Sequence, residues 1–288
     1  MKRRAPTRSR TVALLAAAGL AFAAPAAGGE QAAPARVVSM NVCTDQLAML
    51  IAAPGQLHAV SALARDPNTS VMHEEAHAFA VNHALAEEIF LMEPDLVLAG
   101  TFSSRATVGL LRELGIRVEE FAPARSFDQV RDNIRRTGEL LHRQERAGEL
   151  AAELDAGLAL LAAQAPSGRS IALYEANSYT TGTGTLADEI FRAAGLVNVA
   201  EKLGISGSTR LPMEMLIAAQ PDLIATSFRN YEAPALAHEN FVHPAFRALE
   251  AQKQGIGVPA PKMICGAPFT LEPAFLLQRA ATREQERP

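Results

Sequence analysis

The chain has no tryptophan and three tyrosines, and aromatic residues make up 5% of it, so its core has to be assembled from alanine, leucine, valine and isoleucine. Its two cysteines, Cys43 and Cys265, lie near opposite ends of the sequence. In an oxidising compartment they can close one long loop as a disulfide, worth roughly 3 to 5 kcal/mol, or stand as separate thiols; the sequence does not place their Cβ atoms. Beyond the N-terminus no run approaches the ~18 apolar residues of a membrane span. Motifs of covalent-nucleophile and nucleotide chemistry are missing too. Gly204-Ile205-Ser206-Gly207 is followed by Ser208 rather than completing a nucleophile elbow. Gly182-Thr183-Gly184 lacks the lysine and spacing of a P-loop, and reads as a turn that lets the backbone approach a ligand.

Residues 1–27 read as a secretory signal peptide: Lys2, Arg3, Arg4, Arg8 and Arg10, then the apolar Val12 to Ala24, then small residues around Ala24-Pro25-Ala26. No cysteine sits at that point for a lipid anchor, and a soluble periplasmic chain is expected. Cleavage leaves 22 basic residues of the 27 against 31 acidic ones, moving the net charge from −4 to −9. An acidic surface argues against a nucleic-acid partner. The ~260 residues that remain suit two lobes.

What the sequence does contain is a repeat. Glu87 to Ala99 (EEIFLMEPDLVLA) and Glu214 to Thr226 (EMLIAAQPDLIAT) align without a gap. Each reads as a short amphipathic helix, a Pro-Asp stop and a buried strand. Asp45, Leu47 and Leu50 likewise resemble Asp188, Ile190 and Phe191, each set following a short apolar strand. Strands alternate with helices throughout, which predicts an α/β fold with mainly parallel sheets. The boundaries expected are an N-terminal lobe at 36–142, a connecting helix at 143–165 and a C-terminal lobe at 166–288. That helix would be about 30 Å long, with Leu150, Leu154, Leu158 and Leu161 along one side and a break near His142 before it. A closing strand and helix are expected within 262–281.

The duplicated Glu-x6-Pro-Asp-Leu block, the start RVVSMNVCTDQLAMLIAAPGQLHAVS, the long central helix and the signal peptide together resemble the periplasmic solute-binding proteins of ABC importers for ferric siderophores, haem and cobalamin. The resemblance runs from about Arg36 to the end. It implies two α/β lobes joined by a single long helix, a ligand cleft between them, no catalysis and no cofactor. It also implies a monomer that docks on an inner-membrane ABC permease through one exposed glutamate per lobe, which by position are Glu87 and Glu214, with Glu88 a neighbouring acid.

Ligands of α/β sheets gather beyond the carboxyl ends of the strands. That rule nominates Asn41, Thr44, Arg65, Asp66, Phe102 and Ser103 in the first lobe, and Tyr179, Arg229 and Tyr231 in the second. A competing pattern is His73-Glu74-Glu75-Ala76-His77, an H-E-x-x-H run with His83 following. On a helix it would place His73 and His77 on one face for zinc, with Glu74 as general base, and so describe a secreted zinc hydrolase. Against it, Ala80 stands where the longer signature has glycine. The spacing Asp45 to Glu87 exceeds Asp188 to Glu214 by 16 residues. The histidines therefore lie where the two lobes differ, in a loop where three readings stand: solvated side chains, a ligand or metal contact in the cleft, or the catalytic zinc site.

Overall fold

The computed structural model describes residues 32–228 and 236–283; the expected signal peptide, Arg229 and Tyr231 lie outside the described residues. The first half runs β1 (Val37–Ser39), α1 (Val42–Ile51), β2 (Leu57–Ser61), β3 (Ala80–Asn82), α2 (Ala86–Leu91), β4 (Leu96–Gly100), α3 (Arg105–Glu113) and β5 (Val118–Phe121). Next come α4 (Phe127–Leu140) and α5 (Gln144–Ala162). The second half runs β6 (Ser170–Leu173), β7 (Tyr179–Thr181), α6 (Leu186–Ala193), β8 (Val197–Asn198), α7 (Val199–Lys202), β9 (Ser208–Arg210), α8 (Met213–Ala219) and β10 (Leu223–Phe228). It closes with α9 (Glu239–Val242), α10 (Pro244–Gln252), β11 (Gln254–Pro259), α11 (Pro261–Ile264) and α12 (Leu271–Arg283).

Two parallel sheets result, ordered β3-β2-β1-β4-β5 and β11-β10-β6-β8. Superposing the orders pairs β1 with β6, β2 with β8, β4 with β10 and β5 with β11. The sequence repeat is therefore a repeat of topology. Each half adds one device of its own: β3 at the edge of the first sheet, and an antiparallel β7–β9 ribbon beside the second. The expected strand within 262–281 is a correction. The strand is Gln254–Pro259, pairing with β10 along its whole length, and 262–281 is largely helical. Its two glycines and low apolar content hide it from a pattern search.

The repeat extends to backbone detail. Glu93 and Gln220, each directly before the proline of the block, both adopt left-handed φ, 49° and 46°. The aspartate after each proline pins the first strand of its own half. Asp95 accepts from the amides of Ala35 (2.6 Å) and Arg36 (3.1 Å), and Asp222 accepts from the Ser170 amide and hydroxyl, both at 2.7 Å. The Pro-Asp pair thus ends a helix and fixes the register of β1 against β4, or of β6 against β10.

The chain passes from one sheet to the other through α4 and α5, which turn against each other at His142, whose φ is 54°. Leu150, Leu154 and Leu161 of α5 are buried, and one continuous core carries on from Val37 and Leu98 through them to Ile171, Leu223 and Leu277. Gly157 leaves room for Leu271, whose Cδ1 would stand 2.3 Å from any Cβ there.

Candidate functional site

The carboxyl ends of both sheets face a cleft made of three adjoining cavities, of about 760, 460 and 60 Å³, that share Ile264. Their walls differ in chemistry. The first half contributes Phe102, Pro123, Ala124 and Arg125 from the ends of β4 and β5. The second contributes hydroxyls: Thr181, Thr183, Thr185, Ser206 and Ser208 around the β7–β9 ribbon.

Local sequence explains the ribbon. Gly182 is needed because a Cβ would lie 2.1 Å from the Ile205 carbonyl oxygen, and the amide of Thr183 donates to that oxygen at 3.1 Å. Here the turn residue approaches its own chain; Gly184, with φ 72°, is the one that lines the cavity. The Thr185 hydroxyl caps α6 by accepting from the Asp188 amide at 3.2 Å. The Thr180 and Thr181 hydroxyls, at the wall of the 460 Å³ cavity, are buried without a hydrogen-bond partner among the described residues. Glu175 lines the same cavity, accepts from the Ser227 hydroxyl, and its carbonyl accepts from Asn240 Nδ2 at 2.9 Å.

The cleft gathers some of the nominated residues and not others. Phe102 stands 82% exposed at its edge, and Tyr179 lines the 460 Å³ cavity with the Arg210 guanidinium 5.7 Å from its ring centre. Asn41 and Thr44 line the small cavity, but their polar groups face the protein. Asn41 caps α1 by accepting from the Cys43 amide at 3.0 Å, and the buried Thr44 hydroxyl donates to the Asn41 carbonyl at 2.9 Å. Arg65 and Asp66 line none of the three. The Arg65 guanidinium donates to the carbonyls of Phe79 (2.7 Å) and Ala76 (3.4 Å), and Asp66 accepts from the Asn68 amide at 2.8 Å, so both hold the 62–79 segment together. The Ser103 hydroxyl accepts from the Gly100 amide at 3.1 Å. Arg125, the ribbon hydroxyls, Met263 and Ile264 went unnoticed in the sequence, because Arg125 lies in the loop after β5, the hydroxyls sit on a ribbon without an apolar signature, and Met263 and Ile264 end the four-residue α11.

The zinc-hydrolase pattern is corrected by its backbone. Residues 73–77 form turns running into a 3-10 segment, Glu75–Ala78, so His73 and His77 do not share an α-helical face. His73 packs near the Ser70 carbonyl (3.3 Å), His77 is exposed, and His83 meets Glu88 at 3.1 Å. Among the described residues no group of three histidine, cysteine, aspartate or glutamate side chains is placed to hold a metal ion. The 16-residue excess is mostly turns and 3-10 segments that lead into the three-residue β3.

Cys43, in the first turn of α1, and Cys265, just after α11, are joined as a disulfide with their Cα atoms 5.0 Å apart. Glu87 and Glu214 are exposed in the first turns of α2 and α8, and neither makes an ion pair among the described residues. Glu88 is engaged, accepting from the His83 amide at 2.7 Å and contacting its ring. Beside Glu87 stand the exposed Leu85, Phe90 and Leu91; beside Glu214 stands Met215.

A family model described as periplasmic binding protein matches residues 37–255. A cobalamin-binding protein of Halobacterium salinarum is 31% identical over 145 residues, 49% of this chain and 39% of that protein, so the match spans about two fifths of that relative's length. Among solved structures, a periplasmic haem-binding protein from Roseiflexus sp. RS-1 superposes with a TM-score of 0.69 at 22% identity, covering 85% of this chain and 98% of that one. A periplasmic vitamin B12 binding protein of Vibrio cholerae gives 0.67 at 20% identity, covering 88% and 99%. At these identities the structural likeness speaks for the fold. No helix of the described residues is long and apolar enough to cross a membrane.

Proposed function

The chain belongs to the periplasmic binding protein family, and on that premise we propose that it captures a metal-bearing macrocycle or chelate in the periplasm and hands it to an inner-membrane ABC permease, with a corrinoid as the favoured cargo. The observation that carries the corrinoid is the cleft's division of labour. An apolar edge of Phe102, Pro123 and Ile264 adjoins a wall rich in hydroxyls, and Arg125 and Glu175 are the one cationic and the one anionic side chain among the described residues that line the cavities. A ring with an apolar face and a rim of neutral carboxamides is complementary to such a pair of walls. The cobalamin-binding relative from Halobacterium supports the same choice. Haem, with its carboxylates, and ferric hydroxamates are the competing cargoes of the same class. The cleft would bind and release its cargo unchanged, as a carrier rather than an enzyme.

Thermal-shift titration of the mature protein with cyanocobalamin, haemin and ferrichrome tests this. A true cargo at 100 times its dissociation constant adds ~2.7 kcal/mol, which for a protein of this size raises Tm by about 5 to 10 °C. Cyanocobalamin is expected to produce that shift. A shift with haemin or ferrichrome alone would reassign the cargo, and no shift with any of the three would remove the reading altogether.

For delivery, Glu87 and Glu214 are the docking acids, one on each pseudo-equivalent helix, with Glu88 excluded by its commitment to His83. Paired acids match a two-fold permease bearing paired basic sites, and the exposed apolar side chains beside each acid supply contact area.

A further inference from the structure

The segment after β11 carries more than a chain reversal. α11 leaves the second sheet and enters the cleft, where Met263 lines two of the three cavities and Ile264 lines all three. Ile264 is 41% exposed there, with the exposed Phe102 lining two of the same cavities. Water contact of this kind is unfavourable for a large aliphatic side chain, and a four-residue helix has no stability of its own with which to hold it. What holds it is the next residue. Cys265 is 2% exposed and bonded to Cys43 at the start of α1, in the opposite half of the molecule. Its carbonyl accepts from the Thr270 hydroxyl at 3.0 Å, and that hydroxyl accepts from the Ala267 amide at 3.0 Å. Gly266 lies so close to the first half that a Cβ would stand 2.4 Å from Val130 Cγ2 and 3.1 Å from Ala124 Cβ. The ledge is therefore rooted in the second sheet by β11 and fastened to the first half at its other end.

We infer that the Cys43–Cys265 disulfide is a positioning element of the ligand site: it holds the Met263–Ile264 ledge inside the cleft, and Ile264 is the specificity-determining contact against which the apolar face of the cargo rests. This deepens the carrier reading above and rests on it for the cargo, though not for the clamp. A covalent tie suits the task because Ile264 must stay exposed in the empty protein, where burial cannot fix it, and the tie keeps its position available before binding.

Two measurements on the oxidised mature protein test the two parts. In the first, amide hydrogen exchange is compared between wild type and Cys43→Ser/Cys265→Ser. Exchange at 260–266 should rise at least tenfold more than at α1, β10 and β11, whose protection falls only by the loop-closure stability common to every amide. An equal rise at all of these segments, or no rise at 260–266, overturns the clamp by leaving the disulfide no local role. In the second, Ile264→Ala is made with the disulfide intact and titrated with cyanocobalamin. Its Kd should rise at least tenfold with an unchanged Tm in the absence of cargo; an unchanged Kd overturns the ledge. Should wild type bind none of cyanocobalamin, haemin and ferrichrome while 260–266 loosens as expected, the carrier reading falls and the clamp stands.

Discussion

Asp45 and Asp188 occupy matching places near the starts of α1 and α6, and both are buried, yet they are satisfied differently. Asp188 accepts from Asn198 Nδ2 at 2.9 Å and has the Arg192 guanidinium at 3.2 Å. Among the described residues Asp45 has only hydroxyl and amide donors, chiefly the Ser61 hydroxyl at 2.5 Å and amide at 3.2 Å. Burial pushes its carboxyl up to about 7 from 3.8, and the hydrogen bonds from Ser39 and Ser61 offset only part of that. A carboxyl whose folded pKa is raised stabilises the fold while it is neutral. Its contribution is complete below about pH 3.8, declines as pH rises toward 7, and is then constant, a total change on the order of 4 kcal/mol. Asp45→Asn keeps an acceptor for the Ser61 amide and removes the titration. Urea denaturation from pH 4.5 to 8 should therefore show wild type losing stability relative to the variant as pH rises, with the variant the more stable at pH 8. Parallel curves would mean that Asp45 stays ionised in the fold. Asp222 runs the opposite way. Burial raises its pKa, but the Ser170 hydrogen bonds outweigh burial and hold it below the usual range, so its contribution is lost only as pH falls below 3.8.

At the scale of elements, the α4–α5 joint decides how the two halves meet, and Gly138 is its tightest point. A Cβ there would lie 2.3 Å from Ala147 Cβ and 3.2 Å from the Arg143 carbonyl oxygen. Alanine is the better helix former by up to ~1 kcal/mol, but Ala147 has no rotamer with which to yield, so the helices would have to part. Gly138→Ala should destabilise by roughly 1 to 2 kcal/mol net, measured as a lower urea midpoint; a stabilised variant would show that the joint is slack. This joint also shows what the sequence discloses. The break near His142, the α5 leucines and the duplicated helix-Pro-Asp-strand block were legible because each rests on a periodicity or a local stop signal that acts within a few residues. The same holds for Phe102 and Tyr179, which follow strands in plain view. β11, the β7–β9 ribbon and the Met263–Ile264 ledge were not legible. Gln254–Pro259 carries two glycines, Ser208–Arg210 is wholly polar, and Ile264 matters for where Cys265 fastens it, a contact 222 residues distant in sequence. The histidine segment misled for the converse reason: a spacing meaningful on an α-helix sits here on turns and a 3-10 segment.

Considered whole, the molecule is two copies of one plan joined by one chain crossing, one continuous core and one covalent bond. Closing a loop of 222 residues is worth about 5 kcal/mol by chain entropy, comparable to a large part of a domain's stability. Such a tie limits how far the halves can swing, so on the proposed carrier role cargo capture would be signalled to a permease by something other than wide closure. The pseudo-two-fold arrangement supplies a candidate signal path, because α2 and α8, which carry Glu87 and Glu214, each lead directly into a strand, β4 or β10, that delivers a cleft residue at its far end, Phe102 or Ser227. If the two acids dock together on paired basic sites, their contributions are linked through one rigid body, and losing either should remove most of the benefit of the other. Glu87→Arg and Glu214→Arg are thus each expected to cut uptake more than tenfold in cells, with the double variant scarcely worse than either single one. Cargo affinity of the purified variants should be unchanged, since both residues lie outside the three cavities. Binding of wild type to permease vesicles should weaken as salt is raised, and the variants should lose that dependence. Normal uptake by both single variants would remove these residues from the docking surface, and a graded, additive loss would indicate two independent weak contacts instead of a single two-point dock.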